Sequence, residues 1–355
     1  MLDINSKNSV ILVEFTMKKP VSNKLEFNQK VIDNSAPRIL FLGTPDFAVE
    51  SLKQIVQTGY NVVGVISQPD RETDRKGNLL PTAVKAAASG LGLQVYQFDS
   101  VNKNIDVIKS LSPDLMVTAA FGQILGEDFL KIAPVFNVHA SLLPLYRGSS
   151  PIQNSIINAD THTGVTIMRT VRAMDAGDIV IADKVKIESS DTYGLLHDKL
   201  SLLGAGLIVK AIGLFKDKKI TYTPQDENKA THVVKVNKAD GNVNWSQSAE
   251  IIARRVRAYN PWPSCYTKDN NGNVFKIHVA KVVNLSTMSD IINKNAFKNA
   301  QNGTILLADA QNGLFVKCGV GVLSIENIQA SGKRALPVKE FLRGYNFEIG
   351  AKFGC

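Results

Sequence analysis

Asn137 and His139 stand two residues apart in the apolar run VFNVHA (135–140). On a β-strand alternate side chains share a face, so this spacing aims a carboxamide and an imidazole in one direction. A third polar group, Asp175, follows the apolar run GVTIMRTV (164–171) in the segment RAMDAGDI (172–179). An amide, an imidazole and a carboxylate at one sheet edge suit acyl transfer to an amine. The amide donates to a developing oxyanion and the imidazole manages the amine's proton. The carboxylate orients the ring and favours its charged form. An isolated imidazole titrates at about pH 6.5, where small shifts cross the working range. No serine or cysteine stands out as a nucleophile, which favours direct transfer over a covalent intermediate. Spacing alone leaves a plainer alternative open: His139 is a core histidine satisfied by backbone, and Asp175 closes the turn before GDIV.

Such groups need a scaffold that ends several strands at one edge. From Arg38 the chain alternates RILFLGT with DFAVESLKQIVQTG and NVVGVISQ with AVKAAASGLG, then adds QVYQF, DLMVTAAF, VFNVHA and GVTIMRTV. Continuously apolar runs mark strands buried on both faces, and their alternation with helical spacing predicts an α/β, Rossmann-like, mostly parallel sheet. Ligands of such sheets bind beyond the carboxyl ends of the strands. There AAFGQIL (119–125), FNVHASLLP (136–144) and RAMDAGDI deliver their polar groups. GTPDF (43–47) occupies the turn where dinucleotide-binding proteins place three glycines, yet only Gly43 is present. Asp46 would cap the following helix and would meet a pyrophosphate with negative charge, which argues against NAD or FAD.

DTYGLLHDKLSLLGAGLIVKAIGLF (191–215) reads as a long amphipathic helix closing a domain that spans 38–215, and the polar stretch 216–232 reads as a linker. From 233 to 355 the short runs VFKIHVAKVV, GTILLA, GLFVKCG and GVLSIENIQ, punctuated by Gly and Asn, predict a small antiparallel, OB-like β-barrel. Residues 1–37 are polar and hold five Lys, four acids and no Arg, a poor transit peptide, and VILVEF is too short for a secretory signal. The expectation there is a disordered extension, with Met17 as a second possible start.

The formal net charge of +9 is uneven: residues 231–355 carry 16 basic and 8 acidic side chains, whereas 38–230 carry 20 of each. A polyanionic partner for the last third, nucleic acid above all, is the functional reading, and a solvated basic surface is the plain one. No apolar run approaches the roughly 20 residues of a membrane span. Cys265, Cys318 and Cys355 lie in no metal-ligand spacing, so neither a metal nor a disulfide framework is expected.

NVHASLLPLYRGSSPIQNSIINADTHTGVTIMRTVRAMDAGDIV (137–180), taken whole, resembles the signature of the 10-formyltetrahydrofolate-dependent formyltransferases. GTPDFAVESL, SQPDR and RAYNPWP look like the methionyl-tRNA formyltransferase branch of that family. The resemblance spans Arg38 to about Gly350. It implies formyl transfer from N10 of 10-formyltetrahydrofolate to the amino group of methionine on initiator tRNA. Asn137, His139 and Asp175 match the family's catalytic residues. Ser141, Leu142, Leu143 and Pro144 match its folate-contacting loop. Phe121, Gly122, Gln123, Ile124 and Leu125 match the apolar wall that receives the pterin, and Tyr146, Arg147 and Gly148 shape the entrance.

The loop QPDRETDRKGNLLPTAVK (68–85) resembles the insertion that meets the tRNA acceptor stem, with Arg75 on the functional arginine and Arg71 and Lys76 beside it. It departs from the family at Glu72, Thr73, Asp74 and Asn78, where glycines and lysines are usual, so weaker phosphate attraction is expected. Arg254 in ARRVR, and Lys333 and Arg334 in SGKRALPVKEFLRG, are candidate phosphate contacts. The resemblance further implies a monomer without a membrane partner, in the cytoplasm of a bacterium or in an organelle with bacterial-type initiation. The rival enzyme uses the same folate chemistry on a small amine, which gives no reason for a strongly basic last third. The rival of another class is a non-catalytic RNA-binding protein, which leaves the three catalytic matches without a purpose.

Overall fold

A computed structural model describes residues 36–74, 76–284 and 299–354. The expected N-terminal extension falls almost wholly outside them. The chain begins β1 (Arg38–Gly43), α1 (Val49–Gln57), β2 (Asn61–Ser67), α2 (Ala83–Gly90), β3 (Val95–Gln97), α3 (Ile105–Ser110), β4 (Leu115–Ala119), α4 (Glu127–Leu130) and β5 (Val135–His139). A short β6 (Arg147–Gly148) and α5 (Pro151–Ile157) lead to β7 (His162–Arg169), β8 (Ile179–Lys186) and the long α6 (Tyr193–Lys216). Seven strands form one sheet in the order β3-β2-β1-β4-β5-β7-β8, of which the first five are parallel.

β7 runs antiparallel to β5, and β8 antiparallel to β7, so the sheet is mixed. Apolar runs announce β7 but not its direction, and they miss β8. The sequence of β8, IVIADKVK, carries exposed Asp183, Lys184 and Lys186. Charges of this kind keep an edge strand from pairing further and also hide it from a search for buried runs.

Alternation along the strands sorts the core into two faces. Ile39, Phe41, Leu115, Val117, Phe136 and Val138 join one cluster with Leu52 and Ile55 of α1 and with Leu200, Leu207 and Ile208 of α6. Leu40, Leu42, Met116 and Val135 join the other, with Ile108 of α3 and Phe129 of α4. Each such side chain contributes about 1.5–3 kcal/mol on burial. On β5 the second face continues past Val135 with Asn137 and His139, and loops rather than helices meet them there.

Beyond α6 the chain forms β9 (His232–Val233), parallel to β6, and α7 (Ala249–Ala258). Then β10 (Cys265–Lys268), β11 (Val274–Val282), β12 (Ile305–Asp309), β13 (Gly313–Lys317), β14 (Val322–Ala330) and β15 (Leu336–Pro337) build an antiparallel sheet, followed by α8 (Val338–Phe341). The sheet order is β10-β11-β14-β13-β12, with β15 on β14. Its open edges meet through the C-terminal segment. Phe353 N–H donates to Gly303 O and Gly354 N–H to Lys268 O, each at 2.9 Å, so the last residues reach from the start of β12 to the end of β10. Phe353 lies with Phe275, Phe341 and Phe347 in an aromatic cluster. The apolar core is continuous from Ile152 and Ile156 of α5 to Ile252 and Val256 of α7 and on to Phe275.

Asp46 does not cap α1 as expected, since the helix starts from Ala48 with no side-chain hydrogen bond at its N-cap. Asp46 accepts the Phe47 N–H at 3.0 Å, and its Oδ1 lies 3.4 Å from Nε2 of His197 on α6, whose Nδ1 lies 2.9 Å from Asp198 Oδ1. Burial pulls the His197 imidazole down, but hydrogen bonding and charge from Asp46 and Asp198 outweigh it, leaving the pKa raised. The His197 hydrogen bond in turn lowers that of Asp46. A raised histidine pKa stabilises the fold below about pH 6.5, and that contribution is lost as pH rises through the folded value. The lowered aspartate contributes above about pH 3.9 and is lost as pH falls through its own folded value. Between about pH 6 and pH 8 the Tm is therefore expected to fall, and His197→Gln to flatten that slope by a few degrees, measurable by thermal melts.

Candidate active site

β4 and β5 are in register at Thr118 and Asn137, and the Thr118 hydroxyl donates to Asn137 Oδ1 at 2.9 Å. That bond engages the oxygen of the carboxamide. Among the described residues the Asn137 NH2 makes no hydrogen bond, so a donor is left for an acceptor arriving from outside.

His139 is buried, 6% exposed, and both ring nitrogens have neighbours. Nε2 lies 3.0 Å from the Tyr146 carbonyl oxygen. A carbonyl only accepts, so Nε2 carries the hydrogen, and Nδ1 is the position where a proton can be taken up or released. Nδ1 faces Asp175 Oδ2 at 3.7 Å. That carboxylate oxygen also accepts the Gly148 N–H at 2.8 Å, so the loops after β5 and β7 are tied together at the imidazole. Asp175 itself holds a left-handed backbone, φ 50°, unusual for a residue with a side chain. Gly148, φ 116°, is required where it stands: a Cβ would lie 2.1 Å from the Val233 oxygen, in the strand that pairs with it.

The loop between His139 and Gly148 is held by hydrogen bonds without being helical. Ser141 is fully buried and its hydroxyl donates to Leu145 O at 2.6 Å. Thr166 Oγ1 donates to Ser141 O at 2.7 Å and accepts the Leu143 N–H at 3.1 Å. Leu142 and Pro144 are half-buried, Leu143 is buried, and the Leu143–Pro144 peptide is cis. Tyr146 donates to Asp160 Oδ2 at 2.6 Å, and burial together with that carboxylate pushes its phenol up to about 12. Arg147 is 3% exposed and reaches Gln225 and Glu227 of the segment after α6.

In the 121–125 segment the side chains divide. Phe121 is buried in the second core cluster, with Leu125 packed against it. The Gln123 carboxamide accepts the Val101 N–H at 2.9 Å and donates to Phe98 O at 2.8 Å, so it braces a neighbouring loop. Gly122 turns the chain, and Ile124 is 81% exposed. What this segment offers at the sheet edge is backbone and the Ile124 side chain.

The basic candidates fall in three places, the loop between β2 and α2, α7, and the turn between β14 and β15, and no hydrogen bond or ion pair among the described residues joins one to another. Arg71 and Lys76 are exposed, and Arg71 lies 3.8 Å from a still more exposed Asp99, a pairing worth little in water. Arg75 lies outside the described residues. Asp74 is engaged within its own loop, where Asn78 and the backbone of Lys76 donate to it and hold its carboxyl below the usual range. Arg254 is half-buried on α7, its Nε buried and without a hydrogen-bond partner among the described residues. Lys333 and Arg334 are exposed in the turn between β14 and β15.

Sequence reasoning passed over Thr118, Thr166 and Gln225, all of which hold site residues in place. Single hydroxyls in apolar strands and a glutamine in a polar connector carry no periodic signal, and only register and chain crossing reveal them. No cluster of three or more potential metal ligands occurs among the described residues, and no described helix is long and apolar enough to cross a membrane.

Residues 37–212 match the formyl transferase family model, and 235–346 match that of the formyl transferase C-terminal domain. The chain is 38% identical over 321 residues to the methionyl-tRNA formyltransferase of Sulfurihydrogenibium sp. (strain YO3AOP1), covering 89% of this chain and 99% of that protein. It is 39% identical over 322 residues to the methionyl-tRNA formyltransferase of Bacillus licheniformis, covering 89% and 98%. Among solved structures, HypX from Aquifex aeolicus in complex with tetrahydrofolic acid superposes with TM-score 0.57 at 16% identity, over 89% of this chain and 50% of HypX. This chain thus spans about half of HypX. An N-formyltransferase from Helicobacter canadensis, in complex with folinic acid and dTDP-3-aminofucose, gives TM-score 0.58 at 16% identity, over 81% of this chain and 99% of that one. At such identities the structures speak to the fold alone. The sequence relatives are matched almost end to end, through both sheets, and the chain belongs to the methionyl-tRNA formyltransferase family of folate-dependent formyl transferases.

Proposed function

We propose that the chain transfers the formyl group of 10-formyltetrahydrofolate to the amino group of methionyl initiator tRNA, acting as a monomer in a cytoplasm with bacterial-type initiation. In this reading 38–215 is the catalytic body, 216–232 the linker and 233–355 the tRNA-binding part. The observation that carries the chemistry is the approach of Asp175 Oδ2 to within 3.7 Å of Nδ1 of His139, a residue that shares one face of β5 with Asn137.

The amine nitrogen gains a bond to the formyl carbon, the donor nitrogen loses its own, and one amine proton ends on the departing nitrogen. Asn137 NH2 donates to the formyl oxygen as negative charge gathers there. His139 moves the proton through Nδ1, the nitrogen free of the backbone, and Asp175 stabilises the ring while it is charged. Backbone edges at 121–125 and 141–144, with Leu142, Leu143, Pro144 and Ile124, supply the mainly apolar lining that a flat heterocycle requires. Arg71, Arg75, Lys76, Arg254, Lys333 and Arg334 are assigned to phosphates.

The decisive assay offers formyl donor with either methionyl initiator tRNA or a nucleotide-linked amino sugar. Formylation of the charged tRNA is expected, with binding weakened at least about 10³-fold between 50 and 200 mM salt if about six phosphates are neutralised. Activity on the amino sugar with the charged tRNA left untouched would sink this reading.

A further inference from the structure

We infer that Gln225 is a positioning residue for formyl transfer, acting through Asp175; the inference rests on the reading above. Its carboxamide is fully used. The NH2 donates to Asp175 O at 2.8 Å and to Gly177 O at 2.7 Å, while Oε1 accepts from Arg147 Nε at 3.1 Å and Nη2 at 2.9 Å. Arg147 directly precedes Gly148, whose N–H holds the Asp175 carboxylate. The contacts close a ring in which Asp175 is held at its side chain by Gly148 and at its main chain by Gln225. Gln225 also grips the residue beside Gly148.

Three features make this a device for placing the carboxylate. Asp175 has a left-handed backbone, a conformation that persists only where the surroundings over-determine it. The segment carrying Gln225 lies outside the large sheet's seven strands and is docked on it by paired bonds between Thr223 and Ile179, at 2.9 and 2.8 Å. That segment continues as a clasp on the loop after β5. Thr231 accepts the Tyr146 N–H with its hydroxyl and the Arg147 N–H with its carbonyl, each at 2.8 Å, and donates its own N–H to Pro144 O at 3.2 Å. The connector between the two β systems thus forms part of the wall behind His139 and Asp175.

The chemistry selects glutamine. Only a neutral carboxamide can donate two hydrogens to carbonyls while accepting from a guanidinium. Glutamate would keep the Arg147 contact but present lone pairs to the Asp175 and Gly177 carbonyls. Leucine would leave both carbonyls and part of a buried arginine unmet.

The test compares the full chain with Gln225→Glu and Gln225→Leu, reading kcat and KM with charged tRNA, Tm, and hydrogen exchange at the Gly148 amide. Both variants are expected to lose about 10²-fold in kcat, as a misplaced group costs. The KM for charged tRNA is expected to stay within about twofold, because the interaction acts on the transition state. Gly148 exchange should accelerate about tenfold as the Asp175 carboxylate loosens. Gln225→Glu decides the matter should Gln225→Leu fail to fold, since it retains a partner for Arg147. Wild-type kcat with unchanged Gly148 exchange in Gln225→Glu overturns the proposal, as does a change confined to KM. If the parent chain transfers no formyl group, the functional reading has failed. Exchange at Gly148 then still judges whether Gln225 holds the Asp175 loop.

Discussion

His139→Ala is expected to lower kcat for formyl transfer by about 10²–10⁴-fold, the range for removing a positioned general acid–base. The KM for charged tRNA should change little, because phosphates and the aminoacyl end are assigned to other residues. The structure gives the plainer alternative half of its case, since Nε2 is indeed satisfied by the Tyr146 carbonyl. A core histidine would need nothing more. Nδ1, however, faces the Asp175 carboxylate at the point where two loops are tied together. The two roles separate on measurement. Loss of a merely structural histidine would cost stability, by up to about 1–3 kcal/mol for the orphaned carbonyl and visible as a lower Tm, and would reduce activity only as far as the protein unfolds. A fully folded His139→Ala protein with at least a hundredfold lower kcat supports the catalytic role, and one with near-normal kcat refutes it.

Asn137→Ala should cost about 10²–10³-fold in kcat, the usual loss for one oxyanion donor. The side chain is half-buried and held by Thr118 through its oxygen, so the NH2 is oriented before any substrate arrives. Orientation in advance is what gives such a donor its value, since no reorganisation is needed as charge develops. Asn137→Asp provides the sharper contrast. It is nearly the same size but replaces the donor with a negative oxygen, and it should be at least as inactive as Asn137→Ala. Steady-state kinetics on both, at matched folded fraction, check the assignment. Activity in Asn137→Asp within about tenfold of the parent would remove Asn137 from the oxyanion role.

Gln225 extends this logic away from the reacting atoms. Asn137 and His139 are placed by a strand, an element whose geometry alternates by itself. Asp175 lies in a loop and has no such support, so its position is assembled from contacts with Gly148 and, through its main chain, Gln225. The charged partner of Arg147, Glu227, is mostly exposed, and the guanidinium's hydrogen bond holds its carboxyl below the ordinary range.

Short-range physics decided much of this in the sequence. Apolar runs and helical spacing are properties of neighbouring residues, which is why β1 to β5, β7, α1, α2, α6 and β11 to β14 are legible without coordinates. The two-residue step from Asn137 to His139 is likewise local, and strand alternation alone puts both on one face. Edge strand β8 was not legible, because its charged pattern matches that of a loop, and the reversal of β7 depends on how an excursion through α5 returns. Nor could spacing show that Phe121 and Gln123 turn inward, since a side chain's direction in a turn is set by what it packs against. Asp175 and Gln225 mark the limit most clearly: they are 50 residues apart, and their contact exists only because the connector after α6 crosses the sheet edge and pairs with Ile179. Local sequence determined the strand that carries Asn137 and His139. Tertiary structure alone decided where the carboxylate stands, because its place is fixed by hydrogen bonds between segments that share no local pattern.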